Sequence, residues 1–181
     1  MTTPRTVRSM SWTFGLLIGG MWMAEVLIGN LGGTPVLGNI REFRPRIYAM
    51  ASWCALGAVV VAGLGGLVAA HETGSIGAAL RVGIWSGVIS GAITCVTILS
   101  VTLLFHDALM KESSNIREFA LSAHRPPTGA ELSAFLYWDA FGGGVNHLWI
   151  GPLLGVTIGG VGAVIGKFVR RSRASVRGLS R

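Results

Sequence analysis

Charge is scarce in this chain, and it is missing in long blocks. Asp, Glu, Lys and Arg make up 13% of the 181 residues, about half of their share in an ordinary soluble domain. Four apolar runs contain a single acidic or basic residue between them, Glu25: residues 12–31, 47–70, 82–105 and 148–166. About 20 helical residues cross the hydrocarbon core of a bilayer. Unbroken runs of this length exclude a soluble bundle, whose helices carry apolar stripes.

The sequence therefore predicts one polytopic membrane domain over residues 1–181. Its fold class is an all-α integral membrane bundle of four transmembrane helices, with a short amphipathic capping helix between the third and fourth. The expected spans are residues 11–31, 47–70, 82–105 and 147–168. Residues 106–146 are expected to form an extramembrane cap, and residues 169–181 a basic tail.

Catalytic signatures are missing as well. The two cysteines, Cys54 and Cys95, lie inside separate runs and have neither metal-type nor redox-type spacing. The sequence contains no nucleophile–base set and no phosphate-binding glycine loop. We therefore expect no enzymatic activity, and the sequence identifies no metal and no cofactor.

Basic residues are concentrated at the ends of the chain, which carries a net charge of +7. Arg5 and Arg8 precede the first run, and a basic cluster follows the last one: Lys167, Arg170, Arg171 and Arg173. Basic residues beside spans mark the cytoplasmic side, so both termini are predicted to be cytoplasmic in a multi-pass protein of the cell membrane. The cluster is expected to contact anionic lipid headgroups. Nucleic acid is not an expected partner, because stacking aromatics are not interleaved with these charges.

Small residues recur at every fourth position in three of the four runs. We call these sets ladders two, three and four, after their spans. Ladder two is Ala58, Ala62, Gly66 and Ala70; ladder three is Gly83, Gly87, Gly91 and Cys95; ladder four is Gly151, Gly155, Gly159 and Ala163. Such positions share one helix face, and in lipid a small face lets backbones pack closely. Ladder three is expected to point inward, whereas ladders two and four are candidate faces for a partner helix, a lipid or a pigment.

The segment between spans three and four contains helix signals. Thr128 and Glu131 have the spacing of a capping box, and Gly142-Gly143-Gly144 resembles a helix end. We predict an amphipathic helix over 129–141. It could lie along the membrane surface, with Tyr137 and Trp138 at headgroup level, but a folded cap over the bundle is the favoured alternative. A further helix is expected within 107–122, and Pro152 is expected in the first turn of span four.

A pentapeptide occurs twice: Asn-Ile-Arg-Glu-Phe at residues 39–43 and again at 115–119. Each copy follows an odd-numbered span by about ten residues. This arrangement suggests two duplicated hairpins related by an axis along the membrane normal. Duplication would allow Arg41 to pair with Glu118, and Arg117 with Glu42.

Glu25 is the one acidic residue within a span. An intramembrane carboxyl is costly and usually faces the bundle interior or a wet cavity. Hydroxyls of span three offer possible partners, notably Ser90, Thr94 and Thr97. A proton relay or substrate site and a structural carboxyl bonded by a neighbouring helix are both compatible with this pattern.

His106 and His147 flank the loop between spans three and four. Histidines on neighbouring helices could ligate a tetrapyrrole metal axially. Asp107 or Asp139 could complete a divalent-metal site, although no diagnostic spacing is present. Polar residues at the membrane interface account for the same pattern.

Three function classes remain open. The leading hypothesis is a non-enzymatic structural or accessory subunit, whose partners are the lipid bilayer and either other membrane-protein subunits or further copies of this chain. The second is a small transporter or channel that uses Glu25. The third is a tetrapyrrole-binding redox or pigment protein ligated by His106 and His147.

Overall fold

The computed structural model describes residues 4–179, with side chains described for residues 5–172. Over this part of the chain it contains seven α-helices, one short 3₁₀ turn and no strand. The elements are α1 (Pro4–Leu31), the 3₁₀ turn (Pro35–Leu37), α2 (Ile40–Phe43), α3 (Pro45–Thr73), α4 (Ile76–Leu104), α5 (His106–Met110), α6 (Ser113–Ala123) and α7 (Gly129–Leu179).

Four of these helices, α1, α3, α4 and α7, are long and apolar enough to cross a membrane. This confirms the predicted all-α class with four spanning helices. The physical reason is that a helix satisfies its own backbone hydrogen bonds, which lipid cannot do. The first and second spans are joined at the end of the bundle opposite the chain termini, and we call this end the outer end. The second and third spans are joined by a tight turn at the end that carries the termini.

Ladders three and four face each other. The two helices run antiparallel, so that Gly83 lies against Gly155 and Gly87 against Gly151. A Cβ atom added at any of these four glycines would collide with a backbone carbonyl of the opposite helix. One turn further out, Gly91 packs in the same way on the His147 carbonyl. With no side chains between them, α4 and α7 are in direct backbone contact.

Ladder two also packs inside the chain. Its members Ala58, Ala62, Gly66 and Ala70 are all buried. A Cβ at Gly66 would overlap the Gly159 backbone, and the parallel helices α3 and α7 meet again where Gly162 lies against Gly63. The expectation that ladders two and four are open to a partner was wrong, because each ladder is covered by the other's helix or by α4.

The turn between α3 and α4 is closed by local hydrogen bonds. Gly74 ends α3 with φ 69°, in the left-handed region that glycine adopts without strain. The Ser75 hydroxyl accepts a hydrogen bond from the Ala78 amide at 3.3 Å and caps α4. Arg170 of α7 donates to the carbonyls of His71 and Glu72 at 3.2 and 3.0 Å. The turn is thereby tied to the fourth span.

The fourth spanning helix differs from its prediction. The segment 129–141 is not a separate helix on the membrane surface, because α7 continues without a break through Gly142, Gly143 and Gly144 to Leu179. Pro152, expected in a first turn, lies in the helix interior. The predicted capping box is present at the start of α7, where the Thr128 amide donates to Glu131 at 2.9 Å and the Glu131 amide to the Thr128 hydroxyl at 3.4 Å.

A small apolar core lies at the outer end of the bundle. It consists of Leu31, Val101, Leu109, Leu132 and Leu136. The helix predicted within 107–122 is present as the pair α5 and α6, and α6 is the short amphipathic helix between spans three and four. The outer cap is thus folded onto α7 instead of lying on lipid.

The repeated pentapeptide forms two different structures. Its first copy is α2, a single turn that follows Asn39 in the left-handed conformation (φ 50°). Its second copy lies within α6. The predicted pairs Arg41–Glu118 and Arg117–Glu42 are absent from the described ion pairs, because Arg41 binds Glu112 instead.

Candidate functional site

Glu25 lies half-buried on the outer half of α1. Trp22, one turn earlier on the same face of α1, is buried and meets the His147 ring edge to face, with ring centroids 5.3 Å apart. The other contact of that ring runs from its Nδ1 to the Gly143 carbonyl at 2.8 Å. Trp22 and His147 therefore join the first and fourth spans, and Glu25 lies one turn further along the same face of α1. We call these three residues the Glu25 cluster.

The hydroxyls of α4 do not join this cluster. Ser90 donates to the Gly87 carbonyl at 3.1 Å, Thr94 to Ser90 at 2.9 Å and Thr97 to Ile93 at 2.8 Å. The expected hydrogen bond from Glu25 to this set is not among those described. Serine and threonine in helices commonly satisfy their hydroxyls on the preceding turn in this way.

His106 occupies a different place, at the start of α5. Its Nε2 lies 3.0 Å from the Ser133 hydroxyl, and its ring stacks on Tyr137 with centroids 4.9 Å apart. Its Nδ1 is buried without a hydrogen-bond partner. This histidine fastens the outer cap to the first turns of α7.

The structure does not bring His106 and His147 together. Ser133, the partner of His106, precedes His147 by 14 positions on α7, which is about 21 Å along a helix axis. Two axial ligands of one metal need ring nitrogens within a few ångströms of each other. Among the described residues no group of three His, Cys, Asp or Glu side chains is placed to hold a metal ion, so Asp107 and Asp139 do not complete such a set.

One buried ion pair escaped the sequence reasoning. Arg41 binds Glu112 at 2.8 Å, and the Glu112 side chain is only 4% exposed. Arg41 also donates to the Gly29 carbonyl at 3.3 Å and lies over the Tyr48 ring at 4.9 Å. The pair locks the two outer loops together at the ends of α1 and α3. No sequence signal distinguished Glu112, which is one of five acidic residues in the predicted cap 106–146.

The basic residues after span four have different surroundings. Arg170 caps α3, as described above. Lys167 and Arg171 line a shallow groove beside Ile76 and remain available to lipid headgroups. The side chain of Arg173 lies outside the described side chains.

The outer part of α7 carries an exposed apolar surface. Trp138, Phe141, Val145 and Trp149 lie on one helix face, at intervals of three and four residues; we call them the outer stripe. Trp138 is 74% exposed and Trp149 70% exposed. The opposite face holds Leu132 and Leu136, which are buried in the outer core. Both faces of this part of α7 are therefore apolar, and one of them is uncovered.

The centre of the bundle offers little room. A cavity of about 10 Å³ lies between Trp22, Ala58, Ser90 and Gly151. A space of this size is at the lower limit for a single water molecule. The glycine contacts of α4 and α7 close the bundle at this level.

These features define the class of the protein: a multi-pass, all-α membrane protein with a self-packed four-helix core and a folded outer cap. Comparison with protein-family models, with curated proteins and with solved structures finds no match.

Proposed function

We propose that this protein is a non-enzymatic structural or accessory subunit of a larger membrane assembly, and that the outer stripe of α7 contacts its partner. The observation that carries the proposal is the exposure of this stripe on a helix that extends well beyond its membrane span. α7 contains 51 residues, about 76 Å of helix, whereas the hydrocarbon core is about 30 Å thick.

The ladders do not support this proposal, since they pack against one another within the chain. The outer stripe differs from them. Trp138 and Phe141 precede the apolar run 148–166 by seven residues or more, and their rings contact each other edge to face at 6.2 Å. Contiguous exposed apolar surface of this kind marks protein or membrane contact sites. Tryptophan and other aromatics are the residues most enriched at energetically important interface positions.

Site-specific photocrosslinking in the membrane where the protein is naturally made tests this function. The photoreactive residue is placed at position 138 or 141, and the matched control is placed at Trp53 of α3, which is 68% exposed. The proposal expects one protein adduct of the same mass from 138 and 141 and none from 53. An adduct of twice 19.0 kDa would identify the partner as a second copy of this chain. Lipid adducts alone at all three positions would contradict the proposal.

A second candidate is proton-coupled transport through the Glu25 cluster. The position of Glu25 favours it, one turn from the point where Trp22 meets His147, because an intramembrane acid and a histidine on facing helices can pass a proton between them. Transport would require the bundle to open, since the central cavity does not admit a solute. Flux into liposomes should then fall in a Glu25→Gln variant, whereas flux that is absent or indifferent to this change removes the candidate.

The tetrapyrrole interpretation is not carried further. It required His106 and His147 to share one metal, and Ser133, which contacts His106, lies about four helical turns from His147 on α7.

A further inference from the structure

A groove of about 440 Å³ runs along the outside of the bundle between α1 and α4. Trp12 and Trp85 line it together with the aliphatic residues Val88 and Ile89, which we call its floor. Trp12 is 50% exposed and Trp85 58% exposed. Both spans run in the same direction here, because Gly15 packs on Ile89 and Gly19 on Ile93. The groove lies next to this close contact, on the side that faces lipid.

The two helices carry the same short pattern at the groove. Arg8 precedes Trp12 by four residues on α1, and Arg81 precedes Trp85 by four residues on α4. This spacing puts each arginine on the same face as its tryptophan, one turn nearer the end of the bundle that holds the termini. Arg8 itself lines the groove. The two ends of the groove therefore differ. Its walls are apolar and aromatic toward the membrane centre, and it carries positive charge at the surface.

Both arginines are exposed. Neither takes part in any of the ion pairs or hydrogen bonds described for residues 5–172. Guanidinium groups bind phosphate through two parallel hydrogen bonds. The end of the bundle that carries them is the predicted cytoplasmic side, where anionic lipids are enriched.

We propose that this groove binds one anionic phospholipid. Its phosphate lies between Arg8 and Arg81, and one acyl chain lies along the floor between Trp12 and Trp85. Charge complementarity at the surface end and an apolar floor at the other end match the two parts of such a lipid. This site is separate from the outer stripe, and it stands or falls independently of the proposed subunit function.

The test uses the full chain in a bilayer of phosphatidylglycerol and phosphatidylcholine with identical acyl chains, followed by mild extraction and intact-mass measurement of bound lipid. The wild type is expected to retain one phosphatidylglycerol in preference to phosphatidylcholine. The double variant Arg8→Gln/Arg81→Gln should lose that preference by about 25-fold, since each arginine near anionic lipid contributes about fivefold. The matched control Arg44→Gln/Arg46→Gln removes the same charge from two exposed arginines at the opposite end of the bundle and should leave the preference unchanged.

Two further experiments distinguish lipid binding in the groove from attraction by the arginine charges alone. Val88→Phe fills the floor while both arginines remain, and should remove the retained lipid. Excess inorganic phosphate should fail to displace the lipid, because it cannot occupy the apolar floor. Equal retention of the two lipids by the wild type would overturn the proposal. So would equal losses in the arginine and control variants, retention by Val88→Phe, or displacement by phosphate.

Discussion

At the scale of single residues, Glu112 places a buried carboxylate between the two outer loops. Its carboxylate is buried and accepts hydrogen bonds from Arg41 at 2.8 Å and from the Ser114 hydroxyl at 3.2 Å. Gly33 packs directly on this carboxylate, and a Cβ there would come within 2.6 Å of both its oxygens. The two outer loops are thus built around one buried negative charge.

Replacing Glu112 with Gln should destabilise the protein by about 2 kcal/mol. Breaking a fully buried pair costs about 3–5 kcal/mol, and Arg41 is 31% exposed, so that solvent offsets part of this cost. Unfolding in mixed detergent, followed by circular dichroism, measures the change. The control is Glu42→Gln, an exposed acid of the same outer side, which should leave stability unchanged. Equal effects of the two substitutions would refute the role assigned to the pair.

Contacts between residues close in sequence could be predicted, whereas contacts between distant residues could not. The Thr128–Glu131 capping box is a local pattern, with both partners on one helical turn, and it was predicted correctly. Arg41 and Glu112 are 71 positions apart. Their meeting depends on how α1, α3 and α5 pack, which residue spacing does not encode.

At the scale of the elements, the contact between α4 and α7 depends on the absence of side chains. Gly83 and Gly87 let the carbonyls of Gly155 and Gly151 approach the opposite helix. Small-residue spacing predicts close contacts of this kind. It did not tell which ladders would pair, since any two small faces are compatible in lipid.

Gly87→Ala should cost at least about 2 kcal/mol of stability, because overpacking a tight contact costs about 1–3 kcal/mol and the clash here is with backbone atoms. Gly20→Ala on α1 is the matched control, since a Cβ there meets no atom within 4 Å. It should leave stability unchanged or raise it. Thermal unfolding in detergent measures the stability of both variants against the wild type. A Gly87→Ala protein as stable as the control would show that α4 and α7 do not pack as described.

The three consecutive glycines of α7 were predicted to end a helix, and the structure shows them inside one. Three glycines weaken a helix but do not prevent it where packing compensates. Gly144 packs on the Cys95 thiol, where a Cβ would lie 3.0 Å from the sulfur. This tertiary contact is what the local glycine signal could not reveal.

The continuity of α7 makes a direct prediction. The double variant Gly142→Ala/Gly143→Ala should be as stable as the wild type, or more stable by up to about 1 kcal/mol per substitution. A Cβ meets nothing within 4 Å at Gly142 and only Ile98 at 3.9 Å at Gly143. If the helix instead ended there with a glycine in the left-handed conformation, both substitutions would destabilise the protein. Chemical unfolding of the two single variants and the double variant decides this.

At the scale of the whole molecule, the sequence predicts the architecture better than it predicts single contacts or helix pairs. Long uncharged runs fix the number of spanning helices, because hydrocarbon excludes charge wherever the chain crosses it. The predicted cytoplasmic position of both termini rests on the basic clusters at the chain ends and remains a prediction. What the whole molecule does depends on which surfaces stay uncovered, and only the folded arrangement shows that the outer stripe is such a surface and the ladders are not.

The central claim is that the bundle is closed on itself and meets its partner through the outer stripe. Mass measurement of the protein extracted in mild detergent from its own membrane tests this most directly. We expect an assembly larger than the 19.0 kDa chain. Its mass should fall to 19.0 kDa in Trp138→Ala/Phe141→Ala, and the assembly should stay intact in Trp53→Ala. A wild-type protein extracted only as a 19.0 kDa species, or an assembly that survives loss of both aromatic side chains, would contradict it.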